Sequence, residues 1–240
     1  MDIDKVLVFD MWGDYAHFRR GYTTTSPLTY PFPSRTTLSG IISAILGYER
    51  DTYYDYFNEN NSLFAIQILA PIKKTIINMN LIDTKIGFYL WDCKGQRTQI
   101  PYEFIKGPSY RFYISLDNQE IFDKLFTSIS NHNSVYTPYL GISECISNFK
   151  GVQDVVYPIE KKEANCDPID VHTIIPKDKA KLIIENNKVY GTVKLPGFFE
   201  RGRTVTKYLE FYYEENGMPI KIANGTYYHV VGKDDNIILF

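Results

Sequence analysis

Two long stretches of this 240-residue chain repeat their apolar residues with a helical period, and each is bracketed by short runs of β-branched and aromatic side chains. In the first, Leu38, Ile41, Ile42, Ile45 and Leu46 form one stripe; Ser34, behind Pro33, reads as the N-cap and Gly47 as the stop. In the second, Ile121, Phe122, Leu125, Phe126 and Ile129 form the stripe, and Asp117 with Glu120 three residues later makes a capping-box-like start. The strand-like runs are Lys5 to Asp10, ended by Trp12 and Gly13; LFAIQILAPI and KTIINMNLI between Ser62 and Asp83, with Pro71 marking an edge or bend; Tyr110 to Leu116; and Val135 to Phe149. The order is strand, helix, strand, strand, helix, strand. That order predicts an α+β fold of the ferredoxin-like, RRM-like split βαβ type, βαββαβ, with four antiparallel strands and both helices on one face.

Smaller elements decorate this frame. Asp51 to Asn58 reads as a short helix packing through Tyr53, Tyr54, Tyr56 and Phe57. Ile86, Phe88 and Leu90 alternate, Lys94-Gly95 offers a turn, and Arg97, Gln99 and Ile100 resume, so a hairpin with a polar tip, Asp92 to Thr98, projects from the body. Beyond Val155 no helical period recurs. Residues 160–163 and 165–168 read as a connector, followed by hairpins pairing Lys181–Glu185 with Lys188–Leu195 and Tyr208–Tyr213 with Ile220–Ala223, then strands Tyr227–Val231 and Ile237–Phe240. The expected organisation is an RRM-like domain over residues 1–158, with its hairpin at about 84–101, and a small β-rich C-terminal domain over 159–240.

The chemistry concentrates between Tyr15 and Tyr48. Asp and Glu number 28 in the chain, yet none falls in that stretch, where Arg19, Arg20 and Arg35 alternate with Tyr15, Phe18, Tyr22, Tyr30 and Phe32. Cations interleaved with flat rings are what phosphate contact and base stacking require. Arg35, Thr36 and Thr37 fall in the first helical turn, where free N–H groups and the helix dipole favour an anion; an arginine there repels the dipole unless something negative joins it. Gly40 and Ala44 add a smooth patch beside the apolar stripe. An interior glycine costs roughly 0.8–1 kcal/mol against alanine, which close approach of RNA or tight packing on the sheet would explain equally well.

Other functions find less support. A formal net charge of −2 argues against coating nucleic acid by bulk electrostatics, so any such site is local. Cys93, Cys145 and Cys166 show neither disulfide nor zinc spacing and fit a reducing cytoplasm. The sequence has no signal peptide pattern and no apolar run long enough to span a membrane. His17, His132, His172 and His229 lack metal-pair spacing, and the common phosphate-loop, dinucleotide and serine-hydrolase motifs are missing, so no metal and no cofactor are expected. Arg201, Arg203 and Lys207 read as a solvated charged loop. One catalytic alternative remains: His17, with nearby tyrosines and Arg19 or Arg20, as base and phosphate clamp in metal-independent RNA cleavage.

The stretch KVLVFDMWGDYAHFRRGYTTTSPLTYPFPSRTTLSGIISAILGYERDTYYDYF resembles the amino-terminal signature of the CRISPR-associated Cas-five family, particularly its subtype I-B form, and QIPYEFIKGPSYRFYISL resembles the family's mid-chain motif. The resemblance implies a RAMP-type RNA-binding subunit of the Cascade surveillance complex in antiviral defence. Such a subunit caps the complex at the 5′ end of the CRISPR RNA (crRNA) and holds its repeat-derived 5′ handle. By resemblance the handle-facing set is His17, Arg19, Arg20, Tyr22, Tyr30, Ser34, Arg35, Thr36, Thr37 and Gly40, with Tyr139 and Gly141 added. Residues 84–100 correspond to the family's thumb hairpin, with Trp91, Lys94, Gln96, Arg97 and Gln99 as contact candidates. The implied partners are crRNA, the backbone subunit and the large subunit, with target DNA met indirectly. Related subtype I-C subunits process repeat RNA with tyrosine, lysine and histidine. Here Lys73, Lys74 and Lys106 have no adjacent histidine, which favours a non-catalytic subunit over an endoribonuclease. A protein-only assembly subunit is the remaining alternative.

Overall fold

The structure is a computed structural model that describes residues 3–23, 26–82, 97–165, 167–200 and 202–240. Its first part runs β1 (Lys5–Gly13), β2 (Tyr15–Ala16), β3 (Phe18–Arg19), β4 (Thr29–Tyr30), α1 (Arg35–Leu46), β5 (Ser62–Ile68), β6 (Lys74–Ile82), β7 (Arg97–Lys106), β8 (Ser109–Leu116), α2 (Gln119–Ser130) and β9 (Ser147–Ala164). The second part runs β10 (Ile169–Val171), β11 (Ile175–Pro176), β12 (Ala180–Leu182), β13 (Tyr190–Phe199), β14 (Val205–Glu214), β15 (Ile220–Val230) and β16 (Asp235–Ile237). It is a mostly β molecule of the α+β class, with two helices among the described residues.

The main sheet has the order β10-β15-β9-β1-β8-β5, with β12 and β16 also pairing β15. Within it β9-β1-β8-β5 are antiparallel neighbours, β1 meeting β8 from Leu7↔Ile114 to Trp12↔Ser109. Side-chain alternation divides β1 between two cores. Leu7, Phe9 and Met11 join Phe112, Ile114 and the stripes of both helices, whereas Val6 and Val8 join Tyr113, Tyr157, Val230 and Ile237 on the opposite face. Two helices can share one face because each carries one apolar stripe and needs a single sheet to cover it.

Local chemistry sets the helix ends. Ser34 caps α1 by accepting from the Thr37 N–H, and Gly47 leaves the helix in the left-handed region at φ 81°. The Ala44 and Ile45 carbonyls near that end accept from Tyr136 and Val135, which pins the segment after α2 beside α1. The cap of α2 is Asn118 rather than Asp117: the Asp117 N–H is committed to the Asn61 carbonyl, so the chain turns into the helix one residue later.

Other expectations need correction. Residues 51–58 form turns instead of a helix. Between Val135 and Phe149 there is one isolated bridge, Tyr139↔Ile146, before β9 begins at Ser147. The segment 14–33 carries short strands absent from the sequence reading: β2 pairs with β7 and β3 with β4. The boundary expected at 158 falls inside β9, which carries residues 160–164 onto β15 as sheet rather than connector. Neither of the first two C-terminal hairpins forms, because β12 pairs with β15 and β13 with β14. The distant β15 captures β12, and β14 folds back on β13 across the short turn between them.

β6 and β7 pair without interruption from Lys74↔Ile105 to Ile82↔Arg97, forming a two-stranded arm. Arg97 and Gln99 are exposed on it. The expected strand Ile86–Leu90 and the candidates Trp91, Lys94 and Gln96 lie outside the described residues.

Candidate nucleic-acid interface

Arg35 turns inward. Its side chain is buried, and its guanidinium donates to the carbonyls of Asn58 (3.0 Å), Ser62 (2.8 Å), Phe57 (3.4 Å) and Phe240 (3.4 Å) and to Ser62 Oγ (2.7 Å). The rings of Phe64 and Phe198 lie 4.4 and 4.6 Å from its central carbon. Sequence reading placed this cation at the mouth of α1 awaiting a phosphate. Instead, backbone oxygens supply the negative end of its dipolar partners, and it ties the chain before β5 and the Phe240 backbone to the helix. Burial pushes its pKa down to about 9, with the charge of Glu59 opposing, so it remains a cation at neutral pH.

His17 is also buried rather than presented. Nδ1 lies 2.7 Å from the Glu103 carbonyl and, with that acceptor, carries the proton; Nε2 has no partner. The ring packs against Tyr102 and Phe104 at the root of the arm, and burial depresses its pKa. The candidate general base is thus shut into the core. Tyr30 is buried as well, with the Arg20 guanidinium 5.4 Å over its ring. Arg20 donates to the Thr29 carbonyl and to the hydroxyl of the exposed Tyr22.

Eight of the predicted residues, the buried Tyr30 among them, converge. An open groove of about 840 Å³ runs along the outer side of α1, and Arg19, Tyr30, Ser34, Thr36, Thr37, Gly40, Tyr139 and Gly141 all line it. At its floor Ser34 Oγ lies 2.8 Å from Thr36 Oγ1 and 2.9 Å from Thr37 Oγ1, a cluster of hydroxyls on a first helical turn that contains no acidic residue. Gly40 belongs to the groove and not to the sheet contact: a Cβ there would meet only the Tyr53 hydroxyl, at 3.3 Å. Gly141, at φ 99°, is pressed against the His17 carbonyl, where a Cβ would sit 2.0 Å away, so no side chain fits.

Further groove residues are Tyr48, Tyr53, Tyr54, Tyr136, Phe199, Arg50 and Arg203. Arg203 Nε meets Asp51 Oδ1 at 2.9 Å, Arg50 Nε approaches the other carboxylate oxygen at 3.4 Å, and the Tyr54 hydroxyl donates to Asp51 at 2.5 Å. Tyr54, then Arg203, hold the Asp51 carboxyl below the usual range, while burial and Asp51 push Tyr54 up to about 12. Beyond that cluster lies a second groove, about 1060 Å³, whose lining includes Asp51, Asp55, Glu59 and Glu200. Rings line both grooves, but their charges differ in sign: Arg19, Arg50 and Arg203 outnumber Glu49 in the first, and Asp51, Asp55, Glu59 and Glu200 outnumber Lys207 in the second.

The family model described as CRISPR-associated protein (Cas_Cas5) matches residues 6–195. The chain belongs to this Cas5 family. Among solved structures, this Cas5-family chain superposes on one described as a CRISPR RNA-guided surveillance complex with a TM-score of 0.52 at 13% identity, covering 89% of this chain and 91% of that one. A structure described as a Cas protein matches with a TM-score of 0.45 at 10% identity, covering 89% and 95%. A type III-B Cmr-beta complex bound to cognate target RNA and AMPPnP matches with a TM-score of 0.45 at 11% identity, covering 89% and 86%. The first supports a shared fold. No curated protein matches the sequence. Among the described residues no group of three or more His, Cys, Asp or Glu is arranged to hold a metal ion, and no helix is long and apolar enough to cross a membrane.

Sequence reasoning missed much of the aromatic wall of this Cas5-family groove. Tyr53 and Tyr54 read from the sequence as helix packing, although their place inside the signature stretch is a usable signal. Arg203 carried no such signal: the turn between β13 and β14 reaches the groove only through the fold.

Proposed function

We propose that this Cas5-family chain is a non-catalytic crRNA-binding subunit of a type I, I-B-like Cascade complex, and that the groove along α1 holds the repeat-derived 5′ handle. The observation that carries this reading is the convergence of Arg19, Arg50 and Arg203 with tyrosine faces and helix-terminal hydroxyls on one open surface. Arginines neutralise phosphates, rings stack on unpaired bases, and Thr36 and Thr37 lie where the dipole of α1 favours an anion. The strand order β9-β1-β8-β5, with α1 between β1 and β5 and α2 between β8 and β9, supports reading this part as the ferredoxin-like, RRM-like unit. The β6–β7 arm is the counterpart of the thumb, facing the backbone subunit, and the remaining surface meets the large subunit. Burial of His17 favours binding over cleavage.

The test is affinity of the purified chain for labelled RNA carrying the repeat-derived 5′ end. Arg19→Gln lowers the salt dependence of log affinity by about 0.7, the share of one phosphate contact on a single strand. Tyr139→Ala costs about 1–3 kcal/mol if a base stacks on that ring. Unchanged affinity in both variants, with unchanged thermal melts, removes the groove as the RNA site.

A further inference from the structure

The pair Arg203–Asp51 stands at the border of the two grooves. Arg203 lines the arginine-rich groove and Asp51 the acidic one, and Thr36, Tyr53, Tyr54 and Phe199 are common to both walls. We propose that Arg203 is a phosphate-binding residue of the α1 groove and that Asp51 is its resident counter-ion, a carboxylate strap that an RNA phosphate displaces; this rests on the reading of that groove as an RNA site.

Three features carry the inference. First, the pair is exchangeable: the Arg203 and Asp51 side chains are 48% and 38% exposed, and ion pairs in such surroundings are weak. A phosphate offers the same guanidinium a charge-assisted, two-pronged contact. Second, Asp51 engages Arg50 as well as Arg203, so one displacement frees two of the groove's three arginines. Third, both ends of the strap are non-glycine residues in the left-handed region, Asp51 at φ 65° and Arg203 at φ 63°. Backbone held there stores strain and recurs at switch segments. The loop would not come loose on exchange, because Lys207 of β14 also pairs with Glu59 at the far end of the same connection, on the acidic side.

The strap predicts a specific pattern of coupling. Fluorescence anisotropy with RNA carrying the repeat-derived 5′ end, and with decauridylate, is measured for the parent chain, Asp51→Asn, Arg203→Gln, the double variant and Glu59→Gln, with a thermal melt of each. Asp51→Asn tightens binding about two- to fivefold, the worth of the competing ion pair. Arg203→Gln weakens binding and lowers the salt slope by about 0.7. In the Arg203→Gln background Asp51→Asn tightens binding less than it does in the parent, because only Arg50 is then left for it to release. Equal tightening with and without Arg203 overturns the strap and leaves a general charge effect. Unchanged affinity and slope in Arg203→Gln overturns its role as a phosphate ligand. If the parent chain binds neither RNA, the groove's assignment falls and the strap with it, which separates that failure from the other two.

Discussion

Arg35→Ala tests whether the arginine of the signature belongs to the core or to the ligand. In the folded chain its guanidinium satisfies the Asn58 and Ser62 carbonyls and the Ser62 hydroxyl at 2.7–3.0 Å, reaches Phe57 and Phe240 at 3.4 Å, and fills the space between two phenylalanine rings. Truncation removes the buried cation together with its desolvation cost, but it leaves several oxygens without donors and a void between Phe64 and Phe198. Hydrogen bonds from a charged donor are each worth about 1.5–3 kcal/mol net. Leaving buried oxygens without donors costs about 1–3 kcal/mol each and truncating a large core side chain about 3–5 kcal/mol, so a total of about 3–5 kcal/mol is expected. For a chain of this size each kcal/mol moves the midpoint by about 2–4 °C, so Arg35→Ala melts about 6–20 °C below the parent. Arg35→Lys falls between, because one ammonium cannot span acceptors arranged around a planar fork. Thermal and urea denaturation followed by circular dichroism measure both. A variant that melts like the parent yet loses RNA affinity refutes the reasoning, since the guanidinium would then be serving a ligand.

Two further outcomes are expected. His17 is held neutral by burial, with its folded pKa below the ordinary histidine value of about 6.5. As pH falls through that value the unfolded chain takes up the proton first, so stability present above about pH 6.5 is lost on acidification. His17→Gln flattens that part of the stability curve, as read from urea midpoints across pH, and an unchanged slope contradicts it. Gly40→Ala raises helix stability by about 0.8–1 kcal/mol, less whatever the Tyr53 hydroxyl must yield, while placing a methyl group in the groove. A variant that melts no lower than the parent but binds RNA more weakly is the expected result; unchanged affinity counts against RNA lying over Gly40.

The frame of the fold was legible because its signals are local. Ser34 and Gly47 cap α1 where side-chain chemistry requires, and the strand written as KTIINMNLI occupies Lys74–Ile82. What the sequence hid depends on distant partners. The β9 strand reads as a connector over residues 160–163, because charged side chains suit an exposed edge as well as a linker, and only β15 makes them sheet. The tyrosines after α1 were visible as aromatic but not as groove wall, since the 51–58 segment has no regular period to say which way they face. Arg35 was misread for the same reason: the oxygens it needs lie more than twenty residues away, and one more than two hundred.

The inward arginine and the groove are nevertheless one device. Successive residues of a helix point about 100° apart, so a single turn that sends Arg35 toward Ser62 and Phe64 can present Thr36, Thr37 and, one turn on, Gly40 to the opposite side. Anchoring Arg35 fixes both the rotation and the height of α1 against β5 and the Phe240 backbone. The free end of the helix and its hydroxyls are thereby held at a set distance from Arg19 on β3 and from Tyr139 on the segment after α2. A lost anchor would therefore be felt in the groove without any groove residue being touched. Arg35→Ala and Gly40→Ala should then diverge: the first lowers stability and RNA affinity together, the second lowers affinity alone, and a comparison of melts and affinities in the two variants distinguishes support of the site from membership in it.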